Sequence, residues 1–454
     1  MVAFFRKYPT ARYVALVVIA LAVVAGGAFL WIVLGPGPTD FAGRDKVALP
    51  DYHAANPTGV PPDLANASVV ERGQYLARAA DCEACHTAKG SAPYAGGFAF
   101  VLPFGTLYST NITPDKETGI GGYSDADFLN AVHRGIGLEG KRLYPAMPYS
   151  SYSYMTDADA LAIKAFLFSL KPVHAPAPEN TLAFPFNQRW LMAGWSLLFN
   201  ADQRFEPHPE RSAQWNRGAY LVEAMAHCGE CHTPRNLFQA LDNRSKFTGT
   251  VQAAWTAYNI TEDRTSGVGA WSDEELAHYL AIGHVGLHGT AAGPMGEAVD
   301  KSLGYLTQDD IGAIVAYLRS VPAIASADLP PATARAVPAV YREGPIADAN
   351  PIGQRIFAGA CASCHGWTGE SPVIPFATFI GARAINDPAA TNVAEVILSG
   401  AERKTPNGRA VMPAFGRAYS DAEIAAVTNY VTARFGAKGS TMVADDIAKL
   451  RKME

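Results

Sequence analysis

Cysteine is scarce in this chain. Of 454 residues only six are cysteines, and all six fall in three short strings, so none remains for a structural disulfide. The formal net charge is −5 and no long run of one sign occurs, so nothing predicts binding to nucleic acid. The sequence has no nucleotide-binding glycine loop after a strand pattern, no nucleophile elbow and no convincing acid–base pair. These absences disfavour an enzyme with its own substrate site.

The cysteine strings share the spacing C-x-x-C-H. They are Cys82-Glu83-Ala84-Cys85-His86, Cys228-Gly229-Glu230-Cys231-His232 and Cys361-Ala362-Ser363-Cys364-His365. In this motif both thiols bond to a haem and the histidine ligates its iron. A structural zinc site or a thiol redox pair would not require a histidine directly after the second cysteine in every copy. The pattern therefore predicts three covalent haems c, held by Cys82, Cys85, Cys228, Cys231, Cys361 and Cys364, with His86, His232 and His365 as iron ligands.

An uncharged apolar run occupies residues 13–34. About 20 such residues cross a bilayer as a helix, and Arg6, Lys7 and Arg12 before them predict a cytoplasmic N-terminus. A cleaved signal peptide is the alternative, with the small residues 25–28 as its cleavage region. Because the run continues to Leu34, a retained anchor is favoured. The expected location is the bacterial inner membrane, with a single N-terminal pass and haem domains in the periplasm.

Internal repeats organise the rest of the chain. We predict an all-α fold: three tandem class I cytochrome c domains preceded by an N-terminal transmembrane helix. The expected boundaries are a cytoplasmic stub and transmembrane helix (1–35), a tether (36–65), domain one (66–175), a hydrophobic interdomain segment (176–212), domain two (213–322), a linker (323–348), domain three (349–436) and a polar tail (437–454) with one helix from Thr441 to Lys452.

Each repeat is expected to open with a short helix carrying a glycine, where another helix can approach closely, and a nearby aromatic residue. These pairs are Gly73 with Tyr75, Gly218 with Tyr220, and Gly353 with Phe357. Each repeat should end in an amphipathic helix with a capping signal. The signals are Thr156 with Asp159, Thr307 with Asp310, and Ser420 with Glu423, and an aromatic follows at one offset: Phe166, Tyr317 and Tyr430.

Two further segments carry open interpretations. The string Asn-Ile-Thr at 111–113 recurs at 259–261, which favours a structural loop beside the haem over a glycosylation site. Residues 182–199 are rich in aromatic and apolar side chains. They form either an interdomain helix packed on the first domain or a contact surface for the membrane or a partner subunit.

Methionine is the expected second axial ligand, because a thioether often completes the iron of electron-carrying cytochromes c. Met295 and Met412 are the only methionines after the haem motifs of their repeats. Repeat one offers Met147 and Met155. Met147 is preferred because it follows His86 by 61 residues, close to the 63 between His232 and Met295, and because Met147-Pro148 parallels Met412-Pro413. The competing histidines are His133, His278, His284 and His288.

The chain resembles the trihaem cytochrome c subunit of membrane-bound periplasmic dehydrogenases of acetic acid bacteria and their relatives. The resemblance rests on the three haem repeats and on the strings Leu143–Tyr149, Asn187–Trp190 and Ala291–Met295. The dehydrogenases of this group oxidise alcohols, aldehydes, gluconate or fructose. The resemblance implies that the six cysteines, His86, His232, His365, Met147, Met295 and Met412 keep their family roles. It also implies a non-catalytic subunit that takes electrons from a catalytic dehydrogenase subunit, with a small iron–sulfur subunit as a further partner, and passes them to membrane ubiquinone.

The third repeat and the tail are more similar to the cytochrome partners of molybdopterin-dependent aldehyde dehydrogenases than to those of quinoprotein alcohol or flavin sugar dehydrogenases. Many relatives look secreted, whereas this chain is expected to keep an N-terminal helix. Two other functions stay open. One is a free-standing membrane-tethered shuttle to a terminal oxidase. The other is a haem peroxidase, which would need an open iron site that three methionines argue against.

Overall fold

The computed structural model describes residues 9–40, 57–252, 254–326, 329, 351–405 and 408–453. Most of the tether (41–56) and of the linker (330–348) lies outside these residues. The first helix, α1, spans Pro9–Val33. Its stretch Tyr13–Val33 is long and apolar enough to cross a membrane, and none of it is buried in the protein.

Repeats one, two and three (66–175, 213–322 and 349–436) each contain short helices around their haem motif. Repeat one has α2 (Val69–Ala79), α3 (Cys82–Cys85), α4 (Asp125–Arg134), α5 (Tyr149–Tyr152) and α6 (Asp157–Ser169). Helix α7 (Leu191–Phe199) follows it. Repeat two has α8 (Ala213–Ala219), a π-helical turn (Tyr220–Met225), α9 (Gly229–His232), α10 (Asp273–Ile282), α11 (Gly293–Lys301) and α12 (Gln308–Leu318). Repeat three has α13 (Pro351–Ile356), a π-helical turn (Phe357–Cys361), α14 (Ala362–His365), α15 (Thr391–Ser399) and α16 (Asp421–Phe435), and the tail forms α17 (Ala444–Arg451).

Small antiparallel hairpins depart from the all-α expectation. The described residues form β1 (Ala99–Leu102) with β2 (Gly105–Tyr108), β3 (Thr250–Gln252) with β4 (Trp255–Ala257), β5 (His284–Val285) with β6 (Gly289–Thr290), and β7 (Ala401–Thr405) with β8 (Gly408–Met412). Strands of two to five residues are too short to produce a clear alternating pattern, so these hairpins could not be predicted. In the last hairpin Ala401 pairs with Met412.

The predicted close approach of two helices at a glycine is confirmed in every repeat. A Cβ atom placed on Gly73, Gly218 or Gly353 would lie 1.8, 1.9 or 2.1 Å from the backbone oxygen of Ala162, Ala313 or Ala426, respectively. These alanines belong to the closing helices α6, α12 and α16. After the backbone of that alanine, the nearest atom to each added Cβ is the Cβ of the predicted aromatic residue: Phe166, Tyr317 or Tyr430. Any side chain at these glycines would therefore push the opening and closing helices apart.

Repeats one and two exchange tyrosine hydrogen bonds. The Tyr75 hydroxyl donates to Asp310 at 2.6 Å, and the Tyr220 hydroxyl donates to Asp159 at 2.5 Å. Thr156 and Thr307 cap their helices as predicted. However, Asp159 and Asp310, three positions after these capping residues, each accept a hydrogen bond from a tyrosine of the other repeat. Arg217, almost fully buried, adds an ion pair to Asp310 at 2.6 Å.

Repeats one and two share a single continuous core, whereas repeat three has a separate core to which Ala254 of repeat two also belongs. Repeat three also differs at the aromatic position. Tyr75 and Tyr220 lie two residues after their glycines, but Arg355 has that place in repeat three. Phe357 is instead buried against Tyr430 and Phe435, at ring-centroid distances of 5.4 Å.

The tail helix predicted between Thr441 and Lys452 is present as α17. Ile447 and Leu450 are buried in the core of repeat three, and Arg451 donates to Asp421 of α16 at 2.5 Å. The tail is therefore part of the third unit rather than a free polar extension.

Replacing Gly353 by alanine should destabilise repeat three by about 1–3 kcal/mol, because the added methyl group overlaps the Ala426 carbonyl. Gly359 is the matched control, since a Cβ there meets nothing within 4 Å; alanine at this exposed helical site should be neutral or stabilise by about 0.5–1 kcal/mol. Urea unfolding of the haem-loaded chain, followed by circular dichroism, measures both. Equal midpoints for the two variants would contradict the packing described.

Candidate functional site: three C-x-x-C-H motifs

Each motif histidine is oriented by one backbone carbonyl. The Nδ1 atom of His86 lies 2.7 Å from the oxygen of Thr110, that of His232 lies 2.6 Å from Tyr258, and that of His365 lies 2.7 Å from Ala377. Because a carbonyl can only accept, Nδ1 carries the proton and Nε2 keeps its lone pair. Among the described hydrogen bonds none uses Nε2 of these histidines. This tautomer is the one that metal-ligating histidines adopt.

Burial supports the same protonation state. Desolvation lowers the pKa of His86, His232 and His365, and the carbonyl bond opposes it only in part. The three imidazoles are therefore neutral at pH 7, as an iron ligand must be.

The repeated Asn-Ile-Thr string builds two of the orienting carbonyls. Thr110 and Tyr258 immediately precede Asn111 and Asn259. Both asparagines are buried: Asn111 donates to the Val173 oxygen and Asn259 to the Ile324 oxygen, each at 2.7 Å. The prediction of a structural loop rather than a glycosylation site is confirmed. Its link to the histidine was missed, although the recurrence of the string at one place in two repeats was the available signal.

The rival interpretations of the cysteines fit poorly. In the described part of the chain no group of three or more His, Cys, Asp or Glu side chains is arranged to hold a metal ion. Burial raises the pKa of Cys82 and of Cys228 to about 12, so neither is the ready thiolate of a redox pair. Two thiols beside a carbonyl-oriented histidine, repeated three times, fit a covalently attached haem.

The candidate methionines share a structural position that spacing from the haem motif did not reveal. Helices α4, α10 and α15 each end at a glycine with positive φ: Gly135 (61°), Gly283 (77°) and Gly400 (75°). Met147, Met295 and Met412 each follow that glycine by 12 positions. All three are partly buried at the edge of a core. Met155 follows Gly135 by 20 positions and is 1% exposed within the core, so the arrangement favours Met147.

The competing histidines lie in other surroundings. His133 is buried, with Nδ1 2.9 Å from the Tyr152 oxygen, and its Nε2 lies 3.3 Å from Asp157 without a hydrogen bond. His288 stacks on Trp271 at 3.9 Å and faces Glu275 at 3.3 Å. His284 contacts Thr290 at 2.9 Å, and His278 is exposed.

The motifs of repeats one and two lie close together. The Cys231 thiol lies near enough to contribute to raising the pKa of Cys85. Helix α11, which carries Met295, packs against the motif helix α3. Ser151 of repeat one also donates to Glu230 of the second motif at 2.9 Å.

A buried cation of repeat three reaches into repeat two. The Arg403 side chain is 3% exposed and donates to the Ala291 oxygen (2.9 Å), the Ile282 oxygen (3.1 Å) and Asp300 (3.0 Å). A Cβ on Gly283 would lie 2.4 Å from its guanidinium, so this glycine makes room for it. Arg403 thereby fastens both ends of the segment that holds Met295.

These features define a c-type cytochrome, and comparison with known proteins agrees. The sequence model of the family described as Cytochrome c matches residues 70–171 and 352–434, which lie in repeats one and three. The chain is 40% identical over 428 residues to the fructose dehydrogenase cytochrome subunit of Gluconobacter japonicus, covering 87% of this chain and 85% of that one. It is 38% identical over 409 residues to the gluconate 2-dehydrogenase cytochrome c subunit of Pantoea cypripedii, covering 86% and 91%.

A third relative is longer. A nicotinate dehydrogenase subunit from Pseudomonas putida is 41% identical over 379 residues, which are 82% of this chain but 31% of that protein. The chain belongs to the family of cytochrome c subunits of dehydrogenases. The resemblance drawn from the sequence is thereby confirmed, and with it covalently bound haem c and a role in electron transport.

Replacing Arg403 by glutamine should loosen the Met295 segment, because three hydrogen bonds from a buried cation are lost, at about 1–3 kcal/mol. We expect one haem to change its reduction potential while the others keep theirs. Arg409 is the control, being on the same hairpin but 66% exposed. Spectroelectrochemical titration measures the effect, and unchanged potentials in folded Arg403→Gln protein would contradict it.

Proposed function

We propose that this chain is the trihaem electron-transfer subunit of a membrane-bound periplasmic dehydrogenase complex. The observation that carries the proposal is the threefold repetition of one arrangement: two cysteines, a histidine oriented by a carbonyl, and a methionine at constant distance from a helix-ending glycine. Several carriers in one chain make sense as a relay. Residues 66–175, 213–322 and 349–436 are the proposed haem domains.

The proposed attachment and ligand residues are those of the sequence analysis. Haem iron, when bound, supplies one-electron redox chemistry. The cysteine pairs would hold the ring covalently, and His86, His232 and His365 together with Met147, Met295 and Met412 would supply the nitrogen and thioether ligands of the iron. Sites ligated in this way would serve electron transfer and leave no iron position for a substrate.

The proposed route starts at a catalytic dehydrogenase subunit and ends at ubiquinone in the bilayer. An apolar α1 that anchors the chain would keep the haem domains beside the membrane that dissolves the quinone. The adjoining motifs of repeats one and two support a direct exchange between these two sites. A molybdopterin-dependent aldehyde dehydrogenase with a small iron–sulfur subunit is the partner we favour. Quinoprotein alcohol and flavin sugar or gluconate dehydrogenases are the alternatives.

Isolation of the tagged chain from its native membranes tests this function. We expect a large dehydrogenase subunit to copurify and the complex to reduce a ubiquinone analogue when its substrate is added. A mixture of aldehydes, alcohols, fructose and gluconate distinguishes the partner types. Recovery of the chain without a dehydrogenase, but with a terminal oxidase, would favour the free-standing shuttle instead.

Replacing any one of Met147, Met295 and Met412 by leucine should remove about a third of the long-wavelength thioether-to-iron absorption of the oxidised protein. The reason is that one of three thioether bonds is lost. Met155→Leu is the matched control in repeat one and should keep the full band. A full band in the Met147 variant together with a reduced band in the Met155 variant would reverse the assignment.

A further inference from the structure

We propose that α7 and the loop at residues 237–238 form a second membrane-contact surface, the bilayer face, which rests on the phospholipid surface beside the end of α1. The bilayer face comprises Phe184, Phe186, Trp190, Leu197, Leu198 and Leu237. This inference goes beyond the electron-transfer role and does not depend on which molecule accepts the electrons.

Exposure of large apolar side chains is the first observation. Leu237 is 87% exposed, Leu197 84%, Phe184 79% and Trp190 68%. Helix α7 is strongly apolar, yet none of its residues is buried. A helix in a water-soluble protein places its apolar stripe against the core. Single exposed leucines are ordinary, but several large exposed apolar side chains on one chain segment, and on the loop that its helix contacts, mark a surface that meets something other than water.

Contacts of Trp195 and Phe199 fix the inner side of α7 to the domains. The Trp195 indole nitrogen donates to the Phe238 oxygen at 2.8 Å, and the Trp195 ring meets Tyr149 edge-on at 5.8 Å. Phe199 packs on Phe238 at 5.7 Å. Because these rings fix the inner side of α7 to repeats one and two, Leu197 stays outward. The segment therefore packs on the domains by one side only and leaves its other side free for contact.

Contact with α1 identifies the occupant. The Phe29 ring lies 6.2 Å from that of Phe238, edge to face. The Arg244 guanidinium sits 3.8 Å above the Trp31 ring and donates to the Leu34 oxygen at 3.4 Å. These are the last turns of a helix suited to crossing a bilayer. If α1 spans, its end marks the membrane surface, and the bilayer face beside it lies at the same depth.

The residue types suit that depth. Tryptophan and arginine are enriched at membrane interfaces, where a ring or an alkyl chain contacts lipid and the polar end meets water. A protein partner would need a complementary apolar surface at the same membrane depth, whereas phospholipid is already present at that depth. We therefore assign the bilayer face to lipid, and contact with a partner subunit becomes an outcome of the test.

Photocrosslinking of the full haem-loaded chain tests the assignment. Benzoylphenylalanine replaces Leu197, Leu237 or, as control, Val373, which is 68% exposed in repeat three. Each variant is placed in vesicles of phosphatidylethanolamine and phosphatidylglycerol, recovered by flotation, illuminated, and analysed by intact mass. We expect phospholipid adducts at positions 197 and 237 several-fold above those at 373.

Three results would overturn the proposal. The first is a floating protein whose adducts at 197 and 237 are no more frequent than at 373. The second is crosslinking of these positions in native membranes to a protein instead of lipid. The third is failure of the chain to float, which would remove the premise that α1 is an anchor while leaving the electron-transfer role untouched.

Discussion

A backbone-to-backbone contact between two helices underlies each haem motif. The opening and closing helices cross so closely that only glycine fits at Gly73, Gly218 and Gly353. The motif cysteines follow the opening helix within a few residues, so the crossing sets where the thiols emerge. Lost contact at the glycine would move the motif away from the loop whose carbonyl orients the histidine. The glycine therefore helps to position the motif although it is not part of it.

Polar interactions then join the repeats. Tyr75 and Tyr220 each reach across to the first turn of the closing helix of the other repeat, and Arg403 carries a buried charge from repeat three into repeat two. Each of these side chains has fixed hydrogen-bond partners in the protein in place of water. A buried polar group is stable only when it has such partners. An electron relay benefits from such joints because its carriers must keep fixed separations.

Local patterns allowed much of this to be predicted. The motifs, the close-packed glycines, the helix caps and the tail helix all depend on residues near one another in sequence, and each was found where expected. The hairpins were too short to produce a pattern. The hydrogen bonds of Tyr75, Tyr220 and Arg403 to other repeats join residues 61 or more positions apart. No local signal in the sequence could therefore reveal them. The equal spacing from glycine to methionine was present in the sequence, but its meaning required the helix ends.

Every cysteine of this chain should be bonded to haem, and the proposed relay depends on it. Intact-mass analysis of the mature protein, combined with a pyridine haemochrome assay and alkylation of free thiols, tests this most directly. We expect the added mass of three haems, a haemochrome ratio of three per chain, and no thiol open to alkylation, since all six cysteines are used. Fewer than three haems on fully matured protein, or an alkylated cysteine in any of the three motifs, would contradict it.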